Sequence, residues 1–265
     1  MKKARFTVIT IGLNDLAGLR ETRASVAAQT FPDFEWIIVD GGSTDGTVEY
    51  LQELDQSNCA WSSERDEGLF HAMNKGLDRA SGEYVIFMNS GDRFANKDVL
   101  SRAHALLAQN EDQIDLLFGD AYEVSSDGQM LLKKARPVTS IKRGMFAHHQ
   151  SIFYARRAIG TTRYHCGFRI AADYHFTSVL LAHGAKSFYL EYPLSLFQRG
   201  GSSETNAGIG RRENLIVQKD VLGVGLPRRT LNHISFLISA FFRTHMRRLY
   251  DRLRYRLVAP HHAAR

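Results

Sequence analysis

Asp40 stands at the end of four apolar residues, Trp36 to Val39, and opens the turn Gly41-Gly-Ser-Thr-Asp-Gly46. An apolar run bounded by turn residues reads as a buried strand of a parallel sheet. Ligands of open α/β sheets gather at the carboxyl ends of such strands, so the Asp40 carboxylate can accept hydrogen bonds from a base or a ribose. Ser43 or Asp45 can cap the helix that follows, Val48 to Leu54. Asp, Gly and Ser are turn residues in any setting, and this run alone leaves a generic strand-to-helix turn equally open. Asp92 closes a second such run, Tyr84-Val-Ile-Phe-Met88 followed by Asn-Ser-Gly-Asp. A carboxylate there can hold a hard cation that bridges two phosphates, because Mg²⁺ prefers oxygen ligands and keeps several waters. Asn-Ser-Gly-Asp is also a turn signature, but acids at two strand ends on one sheet edge favour a site.

Other groups are individually less telling. Glu64, Asp66 and Glu67 lie just before a helix, where the helix dipole favours acids anyway. Lys75, about two turns into that helix, could reach a diphosphate or stay solvated. Asp173 begins a helix running to His183, and its local setting alone makes it a cap. His148 and His149 are adjacent, and on a strand they point to opposite faces, which argues against a shared metal ion. His149 with Gln150 could line a ligand pocket or be ordinary hydrogen-bonded strand residues. Arg199-Gly-Gly-Ser-Ser203 is rich in backbone donors, and Gly200, Gly201 and Ser202 could close over a diphosphate or form only a surface loop.

The elements that must position these groups follow from periodicity. The first strand is Phe6 to Ile11, and Asp15 can cap a helix through Leu19, Val26 and Ala27. The Trp36 strand and its helix come next, then a short strand near Ala60-Trp61. Phe70, Met73 and Leu77 share a helix face ahead of the Tyr84 strand, and Asn96 opens a helix through Leu107. This βαβ rhythm predicts a parallel, doubly wound α/β sheet. Leu116 to Asp120 and Gln129 to Leu132 flank the turn-rich Ser125-Ser-Asp-Gly128 and suggest a hairpin or meander. A helix to His183, a strand Ser187 to Leu190 and a helix near Glu213 to Val221 complete the body. No G-x-G-x-x-G opens a helix after the first strand and no P-loop is present, which disfavours a dinucleotide fold.

The chain has 265 residues, 44% hydrophobic and 23% charged, as expected of a globular protein with a sizeable core. Cys59 and Cys166 lie far apart, so a metal clip or disulfide framework is unsupported and a reducing cytosol fits. The apolar run after Met1-Lys-Lys-Ala-Arg5 stops at Gly12, which favours a first strand over a secretory signal.

In order and spacing, VITIGLN, the helix ending in Gln29-Thr30-Phe31, IIVDGGSTDGT, DEGLFHAMNKG, GEYVIFMNSGD and IAADYHF resemble the family 2 glycosyltransferases with the GT-A fold. They span most of residues 6 to 203. MNKG, NSGD and His149-Gln150 look closest to bacterial exopolysaccharide transferases of the colanic-acid type. The resemblance implies a GT-A sheet, a nucleotide-diphosphate-sugar donor, and inversion at the anomeric carbon. It places Thr10, Asn14, Asp40, Gly42, Ser43, Asp66 and Lys75 at the donor nucleotide, and His149, Gln150, Gly200, Gly201 and Ser202 at the acceptor or lid. Asp92 would be the ligand of Mg²⁺ or Mn²⁺. Asp173 would be the base that an inverting single displacement requires.

Three departures stand out: Gly41 replaces a second Asp that commonly contacts the base, Asn89 and Gly91 replace two metal-motif acids, and His71 stands where Asp is frequent. Rival readings are a nucleotidyltransferase, which usually has a basic Gly-rich loop where Gly12 to Gly18 has no Lys or Arg, and a degenerate nucleotide or glycan binder.

Charge divides the chain into a body, 1–225, and a tail, 226–265. The tail has nine Arg, no Lys and one acid, a balance of +8, whereas the body carries 25 Lys and Arg against 27 Asp and Glu, a balance of −2. Ile234 to Phe242 is far short of the ~20 apolar residues that span a bilayer. With the Arg and Leu residues that follow, it reads as a basic amphipathic helix suited to an anionic membrane surface. Nucleic acid is the competing partner. A polysaccharide transferase would usually meet a saccharide or lipid-linked saccharide acceptor at the membrane, so the expectation is a cytoplasmic enzyme peripheral on its inner face, with no nucleic acid partner.

Overall fold

The computed structural model describes residues 4–54, 58–110, 113–125, 128–199 and 206–257. Strand β1 (Phe6–Gly12) lies between β2 (Phe34–Asp40) and β4 (Tyr84–Phe87), parallel to both, and β3 (Cys59–Ser63) adds in parallel outside β2. Alternate residues of β1 feed opposite faces: Phe6 and Val8 join one core cluster, Ile9 and Ile11 the other. Burial on both faces explains the unbroken apolar runs. Helices α1 (Leu16–Ala27) and α4 (Val99–Gln109) cover the first face; α3 (Leu69–Arg79) covers the second.

The expected alternation of strand and helix is therefore present, with shifted details. Helix α2 (Thr47–Gln52) follows Gly46, and Ser43 does not cap it. Asp45 accepts from the Thr47 amide at 3.2 Å and from the Leu16 amide at 2.9 Å, so it serves the starts of two helices. Asp15 caps α1 through the Gly18 amide, as expected. Asn96 turns the chain by accepting from the Asp98 amide, and α4 begins only at Val99. The two-residue β5 (Arg93–Phe94) precedes it.

The second half is mixed in direction. The hairpin of β6 (Leu116–Val124) with β7 (Met130–Lys133) is present. Strand β8 (Ile152–Ala155) inserts antiparallel between β4 and β6, joining the halves into one sheet. A short α5 (Arg156–Ile159) follows β8, and α6 (Ala172–Ala182) packs over the second face. Strand β9 (Ser187–Gln198) is far longer than the expected four residues and runs parallel to β6 with register shifts around Asp120. There Pro193 has no amide to give to the ladder, and a Cβ at Gly119 would lie 2.5 Å from the Tyr192 carbonyl. His149–Ser151 forms a 3₁₀ turn rather than the expected strand.

Helix α7 (Ala207–Asp220) starts well before Glu213. Helix α8 (Leu226–His245) begins where the tail was expected to begin, with Pro227 in its first turn. It leans on the body through Asn232, which donates to the Lys142 carbonyl at 2.9 Å and to Gln218 at 3.2 Å. Its exposed apolar stripe is Leu231, Ile234, Leu237, Ile238 and Phe241, whereas Phe236 and Phe242 are half-buried. Among the described residues, no helix is long and apolar enough to cross a membrane. After α9 (Arg247–Arg254) the chain returns to the sheet: β10 (Arg256–Leu257) pairs antiparallel with β7. Arg199 adds a two-pronged bond to Asp251.

Candidate active site

The carboxyl ends of β1, β2, β3 and β4 converge, as the βαβ order requires. Asp40 lies there but is only 1% exposed. Its carboxylate accepts from the Gly42 and Ser43 amides at 3.1 and 2.9 Å, from the Ser43 hydroxyl, and from Ser63 at 2.6 Å. Those donors occupy both oxygens, so Asp40 organises the loop at residues 41–43 from beneath. The loop is tied to β1 by Asn14, whose amide donates to Ser43 Oγ and whose Oδ1 accepts from the Thr44 amide at 2.8 Å. Asn14 adopts φ +51°, a conformation Asn tolerates better than most residues.

Asp66 approaches from the loop before α3. A Cβ on residue 41 would lie 2.9 Å from Asp66 Oδ2, so glycine at 41 makes the room in which the Asp66 carboxylate sits. Asp66 also accepts from the Gly68 amide at 2.8 Å. Asp40, Ser43, Leu13 and Ser90 line a small cavity beside this loop. Thr10 does not belong here. It is fully buried, donating to the Met88 carbonyl and accepting from Trp36 Nε1, and it stitches three strands together. Lys75 is paired with Glu64 at 2.9 Å, which holds the Glu64 carboxyl below its usual range.

The second cluster joins elements far apart in sequence. Asp92 sits on a turn whose backbone is fixed by Thr22 of α1: the Thr22 hydroxyl lies 2.8 Å from the Asp92 carbonyl and accepts from the Gly91 amide. Burial pushes the Asp92 carboxyl up to about 6, against the pull of His149 and the hydrogen bond from Gln150. Gln150 donates to Asp92 Oδ1 at 3.0 Å. Its neighbour His149 puts Nδ1 3.7 Å from Asp173 Oδ2 and Nε2 3.4 Å from the Asn89 amide nitrogen. Two consecutive residues of a 3₁₀ turn thus link Asp92 to Asp173.

Asp173 is the second residue of α6, with a side chain 26% exposed and a carboxyl raised by burial. It does not cap its helix. The amides of Arg169, Ile170 and Ala171 go instead to the carboxylate of Glu213 on α7, at 2.8, 2.9 and 2.8 Å. Glu213 and Thr22 were not legible as site residues: a lone acid between Arg212 and Asn214, or a Thr within a helix, carries no local signature. His148 turns away from this cluster to Glu123 at 3.1 Å. Gly200, Gly201 and Ser202 lie outside the described residues.

Among the described residues no group of three or more His, Cys, Asp and Glu converges to hold a metal ion. Oxygen donors are nevertheless to hand. Beside Asp92, the buried Asn89 Oδ1 and Gln150 Oε1 have no hydrogen-bond partner. Orphaned buried oxygens next to a carboxylate suit a hard divalent cation.

Comparison with known proteins agrees with this geometry. Residues 7–176 match the model of Glycosyl transferase family 2, a segment that contains Asp40, Asp92 and Asp173. An uncharacterized glycosyltransferase of Mycobacterium tuberculosis is 35% identical over 178 residues, 64% of this chain and 66% of that protein, so the match spans just under two thirds of that relative's length. A PGL/p-HBAD biosynthesis glycosyltransferase of Mycobacterium bovis is 33% identical, over 66% of this chain and 69% of its own. The crystal structure of Staphylococcus aureus TarS 1–349 with UDP-GlcNAc superposes with a TM-score of 0.65 at 20% identity, covering 92% of this chain and 75% of that one, and shows a shared GT-A fold. The chain belongs to glycosyl transferase family 2.

Proposed function

We propose that the protein transfers a sugar from a nucleotide-diphosphate-sugar to a hydroxyl of a saccharide acceptor, with inversion, in the synthesis of a surface glycan. The observation that carries this reading is the pairing of Asp173 with Asp92 through His149 and Gln150. Asp92 lies at the strand edge where donors gather, and the His149-Gln150 turn links it to Asp173. The acceptor oxygen attacks the anomeric carbon as the bond to the diphosphate breaks, and its proton passes to Asp173. Burial raises the Asp173 carboxyl, which makes its ionised form a stronger base than an ordinary Asp carboxylate. His149, close to its Oδ2, favours that ionised form.

Ser43 lines the small cavity, and Asn14, Gly42 and Asp66 belong to or lie against the loop beside it, where base and ribose would rest, with Asp40 holding the loop in shape. Asp92, with Asn89 and Gln150, would hold Mg²⁺ or Mn²⁺, which when bound neutralises charge on a leaving diphosphate. The UDP-GlcNAc complex of TarS and the biosynthetic role in the name of the M. bovis relative support a nucleotide-sugar donor and a glycan product.

The acceptor is proposed to be lipid-linked, with the enzyme peripheral on the cytoplasmic face of the membrane. The exposed stripe on α8 and the +8 tail support this reading. A thermal-shift screen of nucleotide-sugars with Mn²⁺ tests the donor, since a bound ligand raises stability by mass action. One nucleotide-sugar should raise Tm more than its free sugar. Release of pyrophosphate instead of nucleoside diphosphate on turnover would mean nucleotidyl transfer. Proton NMR of the first product should show the anomer opposite to the donor's; retention would remove the single displacement.

A further inference from the structure

On the far side of the His148-His149 pair lies a cavity of about 120 Å³ lined by Lys133, Lys134, His148, Arg254, Met145 and Phe146. Its charge is poorly balanced. Glu123, almost fully buried, is shared by Lys133 at 2.7 Å, His148 at 3.1 Å and Arg199 at 2.7 Å. Lys134 pairs with Glu191 at the rim.

Two arginines have no such match. Arg136, just behind the lining, spends its Nη2 on the Gly144 and Met145 carbonyls, and its buried Nε has no partner. Arg254 forms no ion pair with any described carboxylate, and its charge works against those of Lys133 and Arg136. Like charges converging on one small cavity, with the buried Arg136 Nε left over behind it, are costly unless an anion completes the set.

We propose that this cavity takes a phosphate-type anion. Arginine forks and lysine ammonium groups suit phosphate oxygens, and the position suggests two sources. His148 is the immediate neighbour of His149, and Arg254 ends the helix that follows the exposed α8. The anion is therefore the phosphate or diphosphate that attaches an acceptor to its lipid, or the phosphate of a membrane-lipid headgroup. The first source rests on the lipid-linked acceptor proposed above; the anion site itself does not.

The test titrates full-length protein with inorganic pyrophosphate by calorimetry in chelator, which suppresses metal-assisted binding at Asp92. Wild type should bind, Lys134→Ala/Arg254→Ala should bind at least about tenfold more weakly, and Arg254→Lys should lose much less. Binding absent in wild type, or unchanged in the double variant, overturns the proposal.

Sedimentation separates the sources, using phosphatidylcholine vesicles doped either with a long-chain isoprenyl diphosphate or with phosphatidylglycerol at matched charge. Preference for the diphosphate that the double variant loses identifies the acceptor anchor. Equal sedimentation with both, again lost in the double variant, identifies a headgroup. Should no nucleotide-sugar be turned over while pyrophosphate binding still depends on Arg254, the transferase reading falls and the anion site stands. Turnover with pyrophosphate binding indifferent to these residues removes the anion site and leaves the transferase.

Discussion

Asp92 and Asp173 are both carboxylates whose buried setting disfavours their charge, and the proposed transfer needs both ionised. Metal-dependent activity should therefore fall at low pH, where a proton competes with the cation for Asp92, whose metal-free carboxyl is raised to about 6. A pH–rate profile flat from neutrality to well below this would contradict the assignment. The same shift is a stability statement. An acid whose folded pKa is raised binds its proton more tightly in the native state, so its stabilising contribution is complete below the unfolded value of 3.8 and is lost as pH rises through about 6. At pH 8 the ionised Asp92 thus costs stability, on the order of 1–3 kcal/mol given partial solvent contact. Asp92→Asn should raise the Tm of metal-free protein at pH 8, with the gain fading at pH 5, while abolishing any coupling between Mn²⁺ and nucleotide binding. An unchanged Tm at pH 8 would show that Asp92 is better solvated than its surroundings imply.

At the scale of elements, the site depends on contacts between segments that the chain keeps far apart. Glu213 of α7 receives three backbone amides from the segment just before Asp173. Glu213→Ala leaves those donors without their acceptor and should cost about 3 kcal/mol or more. Glu213→Gln keeps one good acceptor and should lose less. Urea unfolding measures the cost, and the transfer rate should fall further than donor affinity does, because the displaced group is Asp173. If both variants keep wild-type stability and rate, the segment is held by other contacts.

The parts legible in the sequence were those with a local cause. Trp36 to Val39 and Tyr84 to Met88 are apolar because both sheet faces cover them, and the helices between them repeat at their own period. The insertion of β8 between β4 and β6 has no local cause, and neither does the length of β9, whose outer half is only partly buried. Thr10 and Asp40 show the same limit within the site. Motif position placed both at the donor, but a strand's alternation turns Thr10 into the core and the loop's own amides occupy Asp40.

At the scale of the molecule, the tail is attached rather than trailing: β10 pairs with β7 and Asp251 holds Arg199. Removing everything after Gly225 should therefore lower stability as well as any membrane affinity, and substitutions test the membrane role more cleanly. Ile234→Gln, Ile238→Gln and Phe241→Gln together alter only exposed positions. They should abolish sedimentation with anionic vesicles while leaving donor affinity intact, and wild-type sedimentation should weaken with salt, since each basic residue near the surface adds about 1 kcal/mol that salt screens. Equal sedimentation of wild type and the triple variant would remove α8 from the membrane. The central claim, however, is that Asp173 takes the acceptor's proton in an inverting transfer. It is tested most directly by the rate of sugar transfer in Asp173→Asn beside wild type, with donor affinity measured on the same preparations. A fall of about 10²–10⁴-fold in rate with affinity within a few-fold is expected of a lost general base. Transfer at near wild-type rate would contradict it.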